Sequence, residues 1–215
     1  MNVLVVNASP RRDGNSARLA LASAEGAREA GHVATLVHLD DHLQHFLRDC
    51  RRCRDEHGRC TIEDGYERLL RDHVIPAEAM VLATPLYWYG VSGQLKTFFD
   101  RMFCFISASQ PDSEHFVSGL SGKRLAVLIA AEETYPGAAL AVTHQIQEYA
   151  RYTHSALVGM VRGIGNKRGD VELDPSDPLH AARELGRTLA DRHSTDYRID
   201  TDRPASTWPS PTVAG

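Results

Sequence analysis

The chain has 215 residues, the size of one domain, and at that length about 70% of the unfolded surface can be buried without a disulfide or metal staple. Its 24 Lys and Arg against 28 Asp and Glu give a formal charge of −4, which argues against a dedicated nucleic-acid binder with a basic face. No run approaches the ~18 apolar residues of a membrane span, and Met1-Asn2-Val3-Leu4-Val5-Val6 lacks the basic segment of a secretory signal. The expectation is a cytoplasmic globular protein with no membrane or nucleic-acid partner. Eleven His and four Cys stand out, three of the cysteines (Cys50, Cys53, Cys60) falling within eleven residues.

In chain order, Asn2 to Val6 is apolar and β-branched without alternation, as suits a strand buried on both faces. A turn-rich stretch, Asn7 to Ser16, leads to a helix capped by Asn15 or Ser16 and running to about Ala30, with Gly31 as its stop. Val33 to Leu39 reads as a second strand, residues 40–62 as a Cys- and His-rich insertion, and Tyr66 to His73 as a short helix. Ala79 to Ala83 is a third strand, 84–90 a loop, and Ser92 to Phe103 a helix beginning near Gly93. Arg124 to Ala130 is a fourth strand, Ala138 to Tyr152 a helix, Ser155 to Val161 a fifth strand and Pro178 to Arg192 a last helix. Residues 104–121 read as loop. Pro204, Pro209 and Pro211 break all periodicity, so 1–193 is expected to be the domain and 194–215 a tail without its own core. Strands alternating with helices define an α/β fold. The expectation is a doubly wound five-stranded parallel sheet, order 2-1-3-4-5, with helices on both faces and a ligand beyond the carboxyl ends of the strands.

Two loops fall there. The first, Ser9 to Ser16, carries neither the Gly-x-Gly-x-x-Gly of dinucleotide folds nor a Gly-Lys-Ser/Thr triphosphate loop. It offers Ser9, Asn15 and Ser16, a Gly14 suited to an unusual backbone angle, rim charges from Arg11 and Arg12, and the positive end of a helix. Those parts suit a phosphate monoester, though an ordinary strand–helix turn would use several of them too. The second, Thr84-Pro85-Leu86-Tyr87-Trp88-Tyr89-Gly90, has three consecutive aromatics. They cannot all enter one core, so a planar ring stacks there or a subunit interface covers them.

Ser9-Pro10-Arg11 with Gly14-Asn15-Ser16, and the run Pro85 to Arg101, resemble the phosphate loop and second flavin loop of flavodoxin-like, FMN-dependent NAD(P)H oxidoreductases. The resemblance spans about residues 1–190 and implies a bound FMN that carries the redox chemistry while the protein orients substrates against it. It implies that Ser9, Arg11, Asn15, Ser16 and Ala17 hold the phosphate and that Pro85, Leu86, Tyr87 and Trp88 meet the ring. Residues 131–137, with Glu133, close the far side. NAD(P)H is then the co-substrate, Arg11 and Arg12 leaning toward the phosphorylated form, and a small quinone, flavin, nitro or azo compound the acceptor. An electron-transfer flavoprotein serving a protein partner, or a module without flavin, are the alternatives. Tyr87, Tyr89, Glu133 or a nearby His are candidate proton donors, with no choice among them. The family commonly forms homodimers, so Trp88 and the helix after it are expected to face a partner. Lys96, Asp100 and Arg101 are assigned structural or interface roles, Lys96 and Asp100 as an i, i+4 pair.

The chain also resembles the iron–sulfur flavoprotein branch through Cys50-x2-Cys53, Cys60 and the following Glu63-Asp64. Glu56 stands where a third cysteine of a compact cluster run would fall, and Cys104 lies far along the chain, so a four-iron cubane is not expected. Cys50, Cys53, His57 and Cys60 form a chemically complete zinc set with compressed spacing. The reading favoured over it is a relic whose cysteines pack within the insertion. His38, His42 and His45 are expected to be solvent-exposed.

Overall fold

In the computed structural model, residues 1–49 and 52–193 are described; Cys50 and the expected tail at 194–215 lie outside them. The apolar runs form β1 (Asn2–Asn7), β2 (Val33–His38), β3 (Ala79–Pro85), β4 (Arg124–Ala131) and β5 (Ala156–Ile164), ordered β2-β1-β3-β4-β5 and parallel throughout. The expected doubly wound sheet is therefore observed. Val5 lies between Leu36 and Val81 in register. β1, β3 and β4 are the interior strands and are buried almost end to end, which explains their unbroken apolar sequences.

Two cores sandwich the sheet because successive side chains point to opposite faces. Leu4, Val6, Met80, Leu82, Val127 and Ile129 pack beneath α2 (Tyr66–Leu69), α3 (Gly93–Ile106), α4 (Ser113–Leu120) and α5 (Leu140–Tyr152). Val3, Val5, Val81, Ala126 and Leu128 face α1 (Asn15–Glu29) and α6 (Pro178–Arg187). These last two helices touch backbone to backbone. A Cβ on Gly26 would lie 1.9 Å from the Arg183 carbonyl, and one on Gly186 would lie 2.0 Å from that of Ser23, so only glycine permits the approach.

Several boundaries differ from expectation. The loop expected at 104–121 contains α4. Its signal is weak because only Phe116 and Leu120 are buried, and Gly119 is present for close packing, its absent Cβ falling 2.7 Å from Ile75. α3 runs three residues further than expected, through Cys104 to Ile106. The helix after Gly65 widens at Leu70–Val74 into a π turn, which brings Leu70 and Val74 into the core with Tyr66 and Leu69. α6 stops at Arg187, where the Thr188 hydroxyl donates to the Glu184 carbonyl at 2.6 Å. Neither Asn15 nor Ser16 caps α1; the cap position is Gly14, in ordinary extended backbone (φ −78°) rather than an unusual conformation. Its lack of a side chain instead makes room for Arg11, whose Cβ would be 3.1 Å from one on Gly14.

The histidine expectation needs correction too. His45 is exposed, but His38 and His42 are half-buried. His38 Nδ1 pairs with the Asn7 amide at 2.8 Å, and burial, then Arg12, lower its pKa. His42 sits edge-on to His73 with centroids 6.2 Å apart, and burial, then His73, lower its pKa. Among the described residues no helix is long and apolar enough to cross a membrane.

Candidate functional site

The loops leaving β1, β3, β4 and β5 enclose a cleft of about 260 Å³. One wall is Ser9, Arg11, Gly14, Asn15 and Ser16; another is Pro85, Leu86 and Tyr87. The remainder is Ala130 to Glu133 and Gly165 to Arg168. A roomier cleft of about 610 Å³, bordered by His45, Arg48, Arg52 and Cys53, lies over the insertion. The first is the candidate site because it stands at the strand carboxyl ends, where open α/β sheets place ligands.

The wall at the start of α1 is built by short-range bonds. Ser9 N–H donates to the Asn7 side chain at 3.2 Å, and the Ser9 hydroxyl accepts from Arg11 N–H at 3.1 Å. α1 begins without a side-chain cap and without an acidic residue in its first turn. Its first backbone bond from this turn onward runs from Arg18 N–H to the Gly14 carbonyl at 3.1 Å. The N–H groups of Asn15, Ser16 and Ala17 therefore have no acceptor among the described residues. Uncapped donors at the positive end of a helix dipole are able to hold an anion. Arg12 and Arg168 are already paired, with Asp41 and Asp13, while Arg11 stands at the cleft.

Asn15 lines this cleft but spends its side chain elsewhere. Its amide donates to the carbonyls of Gly165 and Lys167, both at 3.0 Å, and its carbonyl accepts from Gly169 N–H at 2.9 Å and Val171 N–H at 3.4 Å. It thereby clamps the loop after β5 onto the start of α1. Ala17 is buried and is not among the lining side chains.

The aromatic wall is a tight turn. Tyr87 and Gly90 exchange two backbone hydrogen bonds at 3.0 Å, and Trp88 and Tyr89 between them take φ of 49° and 61°. Positive φ at both central positions normally calls for Gly or Asn, so this turn holds strain. Trp88 projects from it 97% exposed and does not line the cleft, whereas Tyr87 does. The neighbouring Tyr89 hydroxyl raises the Tyr135 pKa, and Arg162 donates to the Tyr135 carbonyl at 2.7 Å. The loop after β4 is thus tied to β5, with Tyr89 of the turn beside it.

Some residues that shape the site were missed in the sequence. Ser92, fully buried, donates to the Ala8 carbonyl at 2.7 Å, accepts from Leu95 N–H at 3.2 Å to cap α3, and its own N–H meets Thr84 at 3.0 Å. One serine so joins the two loops. Asn166, Lys167 and Arg168 also line the cleft. Their signal was positional: they follow the fifth strand at the ligand-bearing edge of the sheet.

Among the described residues the cysteines assemble neither as the Cys50, Cys53, His57, Cys60 set nor within the insertion alone. His57 is exposed and faces Glu56 at 3.6 Å, while Cys104, on α3, joins Cys53 and Cys60 with all three sulfurs within 4.8 Å of one another. Beside them Arg101 pairs with Asp64 at 2.5 Å, both side chains at most 2% exposed, and stacks over Tyr66 at 4.5 Å. Arg101 is thus structural, as expected. Lys96 pairs with Asp100 on the α3 surface.

A parallel five-stranded 2-1-3-4-5 sheet with helices on both faces defines a flavodoxin-like fold. The chain belongs to the Flavodoxin_2 family, described as having a flavodoxin-like fold, whose profile matches residues 1–162. It is 26% identical over 190 residues to YwqN of Bacillus subtilis (strain 168), named as an NAD(P)H-dependent FMN-containing oxidoreductase, covering 88% of this chain and 99% of that one. It is also 26% identical over 207 residues to an iron-sulfur flavoprotein of Archaeoglobus fulgidus, covering 93% and 84%. An NAD(P)H:quinone oxidoreductase from Methanothermobacter marburgensis superposes with a TM-score of 0.62 at 20% identity, over 90% of this chain and 98% of the other.

Proposed function

We propose that this protein is an FMN-dependent NAD(P)H oxidoreductase that reduces a small acceptor of the quinone, flavin, nitro or azo class. The observation that carries the reading is the uncapped start of α1 facing the cleft, with three backbone donors unclaimed among the described residues and Arg11 alongside. Those donors, with Ser9, Arg11 and Ser16, fit the phosphate of FMN. Ala17 contributes by its backbone N–H, and Asn15 by its backbone N–H and by holding the β5 loop in place. Pro85, Leu86 and Tyr87 border the room left for the ring, and Glu133 stands on the opposite wall. FMN, when bound, supplies hydride and electron transfer.

The chain's own contribution is binding and orientation. Ser92 keeps the phosphate wall and the aromatic wall in fixed relation. The names of YwqN and the quinone oxidoreductase support the reading. The reading includes a homodimer, supported by the strained turn that leaves Trp88 bare. A single set of measurements tests it. FMN titrated into the protein is expected to bind with quenched fluorescence, and NADPH or NADH alone is expected to bleach the bound flavin rapidly. Absence of FMN uptake overturns the flavin assignment. Uptake without bleaching by pyridine nucleotide favours a carrier that needs a separate reductase.

A further inference from the structure

The segment from Arg52 to Cys60 folds back on itself. Arg54 and Cys60 face each other across an isolated antiparallel bridge, Asp55 N–H donates to the Arg59 carbonyl at 3.0 Å, and Thr61 N–H to that of Cys53 at 2.8 Å. At the tip the Asp55 carboxylate accepts from His57 and Arg59 N–H at 2.9 and 2.8 Å, and Gly58 turns at φ 79°. Nothing apolar fills this hairpin. Its other side chains are arginines, acids and one histidine, and Cys53 is its only buried residue. A hairpin this small is not stable by itself, so its place is set by what it docks on. Arg54 docks it on α3 by donating to the Cys104 carbonyl at 3.1 Å, and there the sulfurs of Cys53, Cys60 and Cys104 converge within 4.8 Å.

We propose that Cys53, Cys60 and Cys104 bind one tetrahedral, thiophilic metal ion, of the zinc class, that staples the hairpin to α3. Metal–sulfur bonds of about 2.3 Å place tetrahedral thiolates about 3.8 Å apart, within the observed limit. A cluster that seats each thiolate on a different iron spreads its sulfurs further. Three thiolates on a divalent ion leave net negative charge, and the buried Arg101 guanidinium stands beside Cys60 to offset it. The fourth position falls to a ligand outside this trio. The site is independent of the flavin reading.

The test uses the full chain, stripped with a chelator and titrated with Co²⁺. One equivalent is expected to bind with intense tetrahedral visible bands and a near-ultraviolet thiolate-to-cobalt charge-transfer band, both displaced by Zn²⁺. Cys104→Ser is expected to lose the charge-transfer intensity. A second measurement on the unmutated protein covers the case in which that variant fails to fold: Zn²⁺ should slow alkylation of Cys53, Cys60 and Cys104 relative to stripped protein, read by peptide mapping. Absence of a thiolate–cobalt band, equal alkylation with and without Zn²⁺, or stoichiometric iron and sulfide in the protein as isolated each overturns the proposal.

Discussion

The cleft at the strand ends and the cysteine hairpin beside α3 are built on opposite plans. The cleft is a by-product of the sheet: β1 delivers Ser9, β3 delivers Pro85, and the backbone of α1 supplies the donors. Its polar groups stay in place because strands and helices hold them. In the hairpin there is almost no regular structure, and the order comes from side chains: Asp55 at the tip, Arg54 on α3, three sulfurs in the middle. A site framed by secondary structure keeps its shape when one side chain is lost, whereas a site framed by side chains depends on each of them.

That contrast can be broken most severely at Arg101. Its ion pair with Asp64 is buried on both sides, so Arg101→Leu leaves an uncompensated carboxylate and is expected to cost about 3–5 kcal/mol in chemical denaturation. Thermolysin cleavage should then appear in the 52–60 hairpin, while FMN uptake at the cleft persists at temperatures where the variant stays folded. Loss of FMN uptake with an intact hairpin would reverse the contrast. Acid gives a second view of the same pair. Burial pushes the Asp64 carboxyl up, but hydrogen bonds from Arg101 and from the Gln44 and Tyr66 N–H groups outweigh it and hold the pKa below the ordinary value. A depressed folded pKa contributes stability that is present above the unfolded value of about 3.9 and lost as pH falls through the lower folded value. Wild-type stability should therefore decline below about pH 4, and Asp64→Asn should flatten that part of the profile.

A smaller loss is expected from Asn15→Ala, which removes four hydrogen bonds to the β5 loop; about 2 kcal/mol is expected, partly recovered by water. Hydrogen exchange should speed up at Gly169 and Val171 and remain unchanged in the hairpin. Ser16→Asp places like charge against the phosphate and is expected to weaken FMN binding about tenfold, or ~1.4 kcal/mol, by fluorescence titration. Unchanged affinity would remove Ser16 from the phosphate wall. Least of all, Lys96→Ala breaks only an exposed i, i+4 pair and should shift stability by less than about 0.5 kcal/mol.

The same contrast decides what a sequence reader can see. Strands such as Leu125 to Ala130 announce themselves because burial on both faces demands an unbroken apolar run, and the order of the sheet follows from the alternation with helices. Ser9, Arg11 and Ser16 were legible because a loop after the first strand has a known position in such a sheet. Asn15 looked like a cap, and its bonds to residues some 150 positions away carry no local trace. Cys104 looked stranded in Phe103-Cys104-Phe105 because the end of α3 was set three residues too early and the hairpin's docking is a tertiary event. The turn at Trp88 and Tyr89 was invisible for another reason: no glycine marks its positive φ.

The clamp made by Asn15 also bears on the order in which the molecule is assembled. The anion wall is written in the first 17 residues, yet the loop that completes the cleft is written between 165 and 171. Closing so long a stretch of chain is slow compared with local pairing. On a ribosome the hairpin and α3 have both emerged before the cleft can shut, so a nascent chain halted before Gly165 carries the helix donors without the loop that Asn15 clamps over them. The cleft is thereby completed only late in the synthesis of the chain.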